Sequence, residues 1–240
     1  MPAGATIRIL LKQAGIANVA VVHFTADMAR WEPETFVDTV LVEWLRVSEV
    51  WVGANFLFGR DRMGTFTLLK ALGEDRGFRA EKIDPVRFKD FVVSSTRVRH
   101  LLAEGRVEEA GDLLGHHYAL DGVVVHGDGR GRELGYPTAN LQTQNEQLPA
   151  YGIYATVAMI DGVVFPAVTS VGIRPTIGDN RVMVETYLLN ASMDLYGKSM
   201  RVAFVRWLRE ERKYSSLEAL AAQIGDDCQA ARHVLADLGL

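Results

Sequence analysis

The sequence predicts an α/β first half built on a parallel sheet, then an antiparallel β-barrel and a terminal helix. Two observations carry that reading. Short apolar runs alternate with helical stripes up to about residue 115, the pattern of strand–helix units feeding a parallel sheet. From about Leu120, short strands follow one another with turn signals between several of them, the pattern of an all-β barrel.

In the first half, residues 16–24 (IANVAVVHF) form a valine-rich run suited to a strand buried on both faces. Residues 33–47 place Phe36, Val37, Val40, Leu41, Trp44 and Leu45 on one helical stripe. Residues 49–56 are again strand-like. Residues 94–105 open with N-capping hydroxyls and end at a glycine, as a helix does. Val107, Ala110, Leu113 and Leu114 mark one more helix, closed by Gly115.

The second half holds DGVVVHG, YGIYATVAMI, VVFPAVTSVG, VMVETYLLN and SMRVAFVRW as strands. Asp161-Gly162 and Gly178-Asp179-Asn180 supply turns. Ser215 and Glu218 have capping-box spacing for a final helix. Its apolar stripe runs Leu217, Leu220, Ala221, Ile224, Cys228, Ala231, Leu235 and Leu238, with Gly225 as a candidate break. Cys228 lies on that stripe and reads as core. The domain junction falls at about 115–119, giving domains 1–115 and 116–240.

Bulk properties narrow the function classes. The 240 residues are 48% hydrophobic and 23% charged, a normal globular balance. A formal net charge of -4 argues against a nucleic-acid binder relying on a broad basic face. One cysteine excludes an internal disulfide. No secretory leader or bilayer-length apolar run is read. The expectation is a cytoplasmic protein acting on small molecules, with no nucleic-acid or membrane partner and an oligomeric state left open.

Residues 127–141, GDGRGRELGYPTANL, carry the chemistry. Neither familiar glycine motif fits. In a Gly-x-Gly-x-x-Gly reading, the third position is Arg132 or Leu134 and no helical pattern follows. Gly197-Lys198-Ser199 lacks the earlier glycine of a phosphate loop and leads into an alternating strand. Another phosphate-binding mode remains. Gly127, Gly129, Gly131 and Gly135 let successive backbone N–H groups face one concavity. Arg130 and Arg132 add positive charge. In an extended Pro137-Thr138-Ala139-Asn140 segment, Thr138 and Asn140 project to one side. Their side-chain oxygens are hard ligands suited to Mg²⁺ held together with substrate phosphates. A plain Gly-rich hairpin is the alternative. Glu185 alternates in phase with Met183, Tyr187 and Leu189. A carboxylate on a partly apolar face costs free energy unless it has a partner or a task. It reads as a general base for a hydroxyl nucleophile, or as a solvated residue on an edge strand.

Taken in order, LLGHHYALDGVVVHGDGRGRELGYPTANL, LPAYGIYA, VTSVGIRPTIG, VETYLLN and DLYGKSMRVAFVRWLREERKYSSLEAL resemble the kinase domain of bacterial bifunctional riboflavin kinase/FMN adenylyltransferases, over nearly all of residues 113–240. The resemblance implies a six-stranded barrel with a trailing helix that phosphorylates riboflavin to FMN with ATP and Mg²⁺. It implies that Thr138 and Asn140 bind Mg²⁺ and ATP phosphate, that the backbone of 127–135 covers the phosphates, and that Glu185 activates the ribityl 5′-hydroxyl. It also implies a flavin side lined by VTSVGIRPT and residues 195–197. FVDTVLVEWL, VGANFLFGRDRMG and VSSTRVRHLLAEGRVEEAGDLLG are similar to segments of the family's adenylyltransferase domain, a Rossmann-like fold. There Ser94, Ser95, Thr96 and Arg99 would contact ATP phosphates; a helix N-terminus with hydroxyls is an anion site in its own right, or a plain N-cap.

One departure stands out. The family's Gly-x-Phe-Asp-Gly-x-His-x-Gly-His loop, which positions ATP for adenylyl transfer, has no counterpart in these residues, and Leu57 replaces a usual basic or polar residue. The expectations are an incomplete Rossmann-like domain without useful FMN adenylyltransferase activity, apolar surface left exposed on it, and an active kinase barrel. Three alternatives stay open: a bifunctional enzyme whose opening segment is missing from this sequence, a natural short form, and a non-catalytic flavin or nucleotide binder.

Overall fold

The computed structural model describes residues 11–12, 14–127, 129–176, 179–191 and 193–239, with backbone alone at 130, 174–176 and 179–181. The Arg130 side chain and Gly178 of the expected turn therefore lie outside the described residues, while the backbone of Asp179 and Asn180 belongs to a strand. The chain divides into two compact units, Ala17–Val92 and Val93–Leu240 joined by residues up to Ile16.

In the first unit, strands β1 (Glu49–Gly53) and β2 (Arg79–Ile83) pair in parallel, with Glu49 opposite Arg79. The helix Phe66–Arg76 connects them, capped by Thr65 and ended by Gly77 at φ 80°. A hairpin of β3 (Arg87–Phe88) and β4 (Phe91–Val92) follows. The expected helix at 33–47 starts as Pro33–Phe36 and continues as a π-helix over Val37–Trp44. Val37, Val40 and Leu41 enter a core with Val52, Phe58, Leu69 and Phe78. The end of the stripe does not, since Trp44 and Leu45 are about half exposed.

The expectation for residues 16–24 fails. They form no strand, and Val21 and Phe24 are 71% and 75% exposed. A strand exists only where a neighbour takes up its N–H and C=O groups. Among the described residues, β1 and β2 pair only with each other in this sheet. Trp51 and Ile83 on those strands are likewise exposed.

The second unit is closed. Among its described residues, β5 (Ala119–Val125), β6 (Ala139–Thr143), β7 (Gly152–Ile160), β8 (Val163–Thr176), β9 (Asp179–Leu188) and β10 (Ser199–Arg209) form a barrel in the order β10-β5-β6-β9-β8-β7. Closure removes the strand edges that an open sheet leaves unpaired. Asp161-Gly162, both at positive φ, turns β7 into β8 as expected of a two-residue hairpin. Alternation splits each strand. Val184 and Leu188 face the interior with Leu120, Tyr154, Val202 and Phe204. Thr156, Thr169 and Thr186 are buried and hydrogen-bond in series at 2.8 and 3.0 Å.

Two helices pack on the barrel before its first strand. Ser95–Ala103 is capped by Ser94 Oγ, which accepts from the Arg97 N–H. Val107–Leu114 ends at Gly115. Val98, Leu101, Leu102, Val107 and Ala110 join the barrel core, so these helices belong to the same compact unit as the strands. Arg206, on the outside of β10, pairs with Glu108 at 2.8 Å and ties the second helix down.

The terminal helix runs unbroken over Leu217–Ala236. Its cap is Ser216, whose Oγ accepts from the Ala219 N–H, one residue later than the expected Ser215. Gly225 does not break it. A Cβ there would meet the Tyr136 hydroxyl at 3.2 Å, so the glycine admits that ring. Ala155, Val168, Leu189 and Val205 on the barrel's outer wall pack against Cys228, Ala231 and Leu235. Cys228 is buried, as expected.

Candidate active site

Strand register assembles the site. Asn140 on β6 lies opposite Glu185 on β9. Glu185 lies opposite Ser170 on β8, Ser170 opposite Ile153 on β7, and Ile153 opposite Arg209 on β10. Opposed residues of an antiparallel pair project to the same side. The row one step along, Ala139, Thr186, Thr169 and Tyr154, is buried in the barrel. The row Asn140–Glu185–Ser170–Ile153–Arg209 therefore lies along the outer wall.

A cavity of about 380 Å³ opens on that wall. Glu185, Ser170, Ile153, Tyr187, Met183 and Arg209 line it from the strands, Leu220 and Ile224 from the terminal helix, and Glu211 and Tyr214 from the connection between β10 and that helix. Gly129, Gly131, Tyr136 and Thr138 complete it. Thr138, Glu185 and part of the Gly-rich loop thus line one cavity.

Asn140 sits beneath the loop. It is 6% exposed, and a Cβ on Gly127 would overlap its amide. Asn140 Oδ1 is buried without a hydrogen-bond partner. A buried carbonyl oxygen without a donor is costly in a finished core, so this is where a ligand is expected. Gly131 approaches Thr138: a Cβ there would meet the Tyr136 carbonyl and lie 3.2 Å from Thr138 Oγ1. Gly129 and Gly135 take φ of 75° and 83° with open space around them, so their glycines supply the left-handed backbone alone. Arg132 is exposed on a single helical turn, Arg130–Glu133.

The lining from Arg209 onward was not legible in the sequence. Arg209, 14% exposed at its side chain, donates to both carboxylate oxygens of Asp227 at 2.8 and 2.6 Å. That pair fastens the terminal helix to the end of β10. The Arg209 guanidinium lies 5.9 Å from the Tyr214 ring centre, and the Tyr214 hydroxyl is buried without a partner. Glu211 packs its carboxylate on Gly172, in the space a Cβ there would take. Burial raises the Glu211 carboxyl above its usual range, partly offset by Ser170 and Arg209. The one available signal was charge: Arg209, Glu210, Glu211 and Arg212 sit together where a strand ends.

Residues 195–197 do not line the cavity. Leu195 joins the barrel core, and Tyr196 stacks on His126 at 3.7 Å between ring centres. None of Ser94, Ser95, Thr96 and Arg99 lines it either. Ser95, Thr96 and Arg99 are exposed at the start of the helix that Ser94 caps.

Comparison with known proteins fits this division. A riboflavin kinase family model matches residues 114–235, and an FAD synthetase model matches 5–97. The bifunctional riboflavin kinase/FMN adenylyltransferase of Pseudomonas fluorescens is 39% identical over 223 residues, covering 92% of this chain and 72% of that protein. Its Listeria monocytogenes namesake is 33% identical over 230 residues, covering 95% and 73%. A Streptococcus pneumoniae crystal structure titled a macrolide-efflux protein aligns with a TM-score of 0.87 at 29% identity, over 95% of this chain and 74% of that one. Among the described residues here, no helix is long and apolar enough to cross a membrane. The chain belongs to the family of bifunctional riboflavin kinase/FMN adenylyltransferases.

Proposed function

We propose that residues 116–240 transfer the terminal phosphoryl group of ATP to the ribityl 5′-hydroxyl of riboflavin, giving FMN. The observation that carries this reading is the buried, unpartnered Asn140 Oδ1 set beside Glu185 and beneath the Gly-rich loop. Its chemistry fits a hard divalent cation, and Thr138, which lines the cavity, supplies a second oxygen, its hydroxyl. Asn140 and Thr138 would hold Mg²⁺, which when bound neutralises phosphate charge.

The remaining work falls to the chain's own groups. Backbone N–H groups of 127–135, with Arg130 and Arg132, cover the phosphates. Glu185 accepts the proton of the 5′-hydroxyl. The freed oxygen forms its bond to the terminal phosphorus as the bond to the bridging oxygen breaks, and ADP leaves with that electron pair. Phosphoryl transfer asks mainly for positioning and charge stabilisation, and a cavity closed by a loop and a helix supplies both.

The FAD synthetase match at 5–97 favours a second reading, a polypeptide that also adenylylates FMN in residues 1–115. The Gly-x-His-x-Gly-His run that the resemblance implies for that activity is not among these 240 residues. Ser94, Ser95, Thr96 and Arg99 would still offer ATP phosphates an anion site.

One assay separates these readings. The chain is incubated with riboflavin, ATP and Mg²⁺ beside Glu185→Ala, and the flavins are resolved by chromatography. FMN without FAD, lost in the variant, is the expected result. FAD forming at a normal enzymatic rate would establish the bifunctional reading. Folded protein that forms no FMN would overturn the kinase and leave a flavin or nucleotide binder.

A further inference from the structure

We propose that a second groove, where the Ser95–Ala103 helix and β10 both end, is a docking site for an arginine-bearing segment of a partner protein. The groove measures about 840 Å³. It is separate from the cavity described above, and Glu211 alone lines both. Its charge has one sign. Glu104, Glu146, Glu210 and Glu211 line it, and no lysine, arginine or histidine does so among the described residues. Arg106 holds Glu104 at 3.0 Å. Glu146 and Glu210 have no ion pair among the described residues, so their charge is available to a cation.

A fixed aromatic platform stands in the same groove. Trp207 is 36% exposed, and glycines seat its indole. A Cβ on Gly152 would overlap the indole nitrogen, and one on Gly105 would lie 3.4 Å from the ring. The neighbouring segment 147–151 is tied down by its backbone. The Tyr118 hydroxyl donates to the Gln147 carbonyl at 2.6 Å, the Tyr154 hydroxyl to the Ala150 carbonyl, and the Ala150 N–H to the Leu102 carbonyl at 2.8 Å. Tyr151, 46% exposed, lines the groove from that segment. Rings already held in place lose little freedom on binding.

Carboxylates and aromatic faces both attract cations. A guanidinium meets both at once, stacking flat on an indole while its N–H fork reaches a carboxylate. Leu148, Pro149 and Val182 offer apolar surface to its methylene stem. An ammonium group is compact and strongly hydrated and gains less from the indole. Glu146 and the Glu210–Glu211 pair enter from separate parts of the chain, which suits a segment carrying more than one arginine better than a single small cation.

The test is isothermal calorimetry on the full chain with three acetylated tripeptide amides, of arginine, lysine and citrulline. Citrulline keeps the shape of arginine without its charge. The proteins are wild type, the double variant Glu146→Gln/Glu210→Gln, and Trp207→Leu, each checked for its fold by circular dichroism. Wild type is expected to bind the arginine peptide more tightly than the lysine peptide, and the citrulline peptide not at all. The double variant and Trp207→Leu should each weaken arginine binding by about threefold to tenfold. The double variant changes only exposed side chains, so it decides the matter if Trp207→Leu misfolds. Equal binding of the citrulline peptide, no binding of the arginine peptide, or arginine binding undiminished in the double variant would overturn the proposal. Wild type that self-associates in sedimentation, with that association lost in the double variant, would assign the groove to a second copy of the chain and overturn it as well.

Discussion

Residues 16–24 and β7 are written in the same alphabet. IANVAVVHF and GIYATVAMI are both short, apolar and β-prone. One is exposed and forms no strand. The other pairs on both sides, with β8 and β10, and buries Tyr154, Ala155, Ala158 and Ile160. Their apolar character is alike, so it does not account for the difference. What differs is whether another strand is present to complete the ladder. The barrel supplies six mutual neighbours and closes on itself, whereas the first unit holds two separate pairs, β1 with β2 and β3 with β4.

The comparison assigns chemistry to the closed region, and the largest expected effect tests that. Glu185→Gln should lower the rate of FMN formation by about 10²–10⁴-fold, the range for loss of a general base, with the melting temperature little changed. Arg99→Ala, on an exposed helical face outside the cavity, should leave that rate unaltered. Steady-state kinetics on both variants checks the pair. Equal losses would break the separation between barrel chemistry and the residues before it.

Core truncations come next. Phe204→Ala removes a side chain that is 0% exposed inside the barrel and should cost about 3–5 kcal/mol, taking FMN formation with it near the new midpoint. Leu69→Ala makes a comparable hole in the first unit, where Leu69 is also 0% exposed, at about 2–5 kcal/mol. FMN formation should survive that second change. Denaturant titration followed by both circular dichroism and activity distinguishes them. Activity lost at the same denaturant concentration in both variants would mean that the two units unfold as one.

What the sequence revealed follows the same division. Strand phase was readable in the barrel, because alternation along β9 separates Met183, Glu185 and Tyr187 from Val184 and Leu188 whatever the register. The loop and the Thr138–Asn140 pair were readable because their chemistry is local. Register is not local, so Ser170 could not be placed beside Glu185 in advance. Nor could Arg209 be joined to Asp227 on the helix, or Glu211 folded back over Gly172. The misreading of 16–24 has the same root: an apolar run announces that it can be buried, and only tertiary partners decide whether it is. The shift of the final cap from Ser215 to Ser216 is a smaller case, in which two adjacent serines offer the same hydroxyl and the docked helix selects one.

A glycine pair sharpens the distinction within the barrel. Gly127→Ala puts a methyl group where the Asn140 amide lies, so it should displace a proposed metal ligand and raise the Mg²⁺ concentration needed for half-maximal rate by about tenfold or more. Gly162→Ala has open space around it but a φ of 81°. It should cost about 1–2 kcal/mol of stability and leave the Mg²⁺ requirement alone. Magnesium titrations of initial rate, with a thermal melt for each protein, read both effects.

The smallest effects are in pH, and the two units should respond with opposite sign. In the first unit, Asp38 accepts from the Arg76 guanidinium at 2.5 and 3.3 Å, and that hydrogen bond holds its carboxyl below the usual 3.8. The folded form then binds fewer protons than the unfolded one. The pair's stabilisation is present above pH 3.8 and is lost as pH falls through the folded value. Glu211 in the barrel runs the other way. Burial raises its carboxyl above 4.5, so the folded form holds its proton longer, and stability is lost as pH rises from 4.5 through the folded value. Glu211→Gln should therefore be slightly more stable than wild type at pH 7 and indistinguishable from it below about pH 4. Asp38→Asn should be slightly less stable at pH 7, with the gap closing in acid. Both side chains are substantially solvent-accessible, which keeps the shifts small. Urea midpoints taken across pH 3–8 on the three proteins measure them. Curves for the two variants that diverge from wild type in the same direction would contradict the opposite electrostatic settings of the two carboxyls.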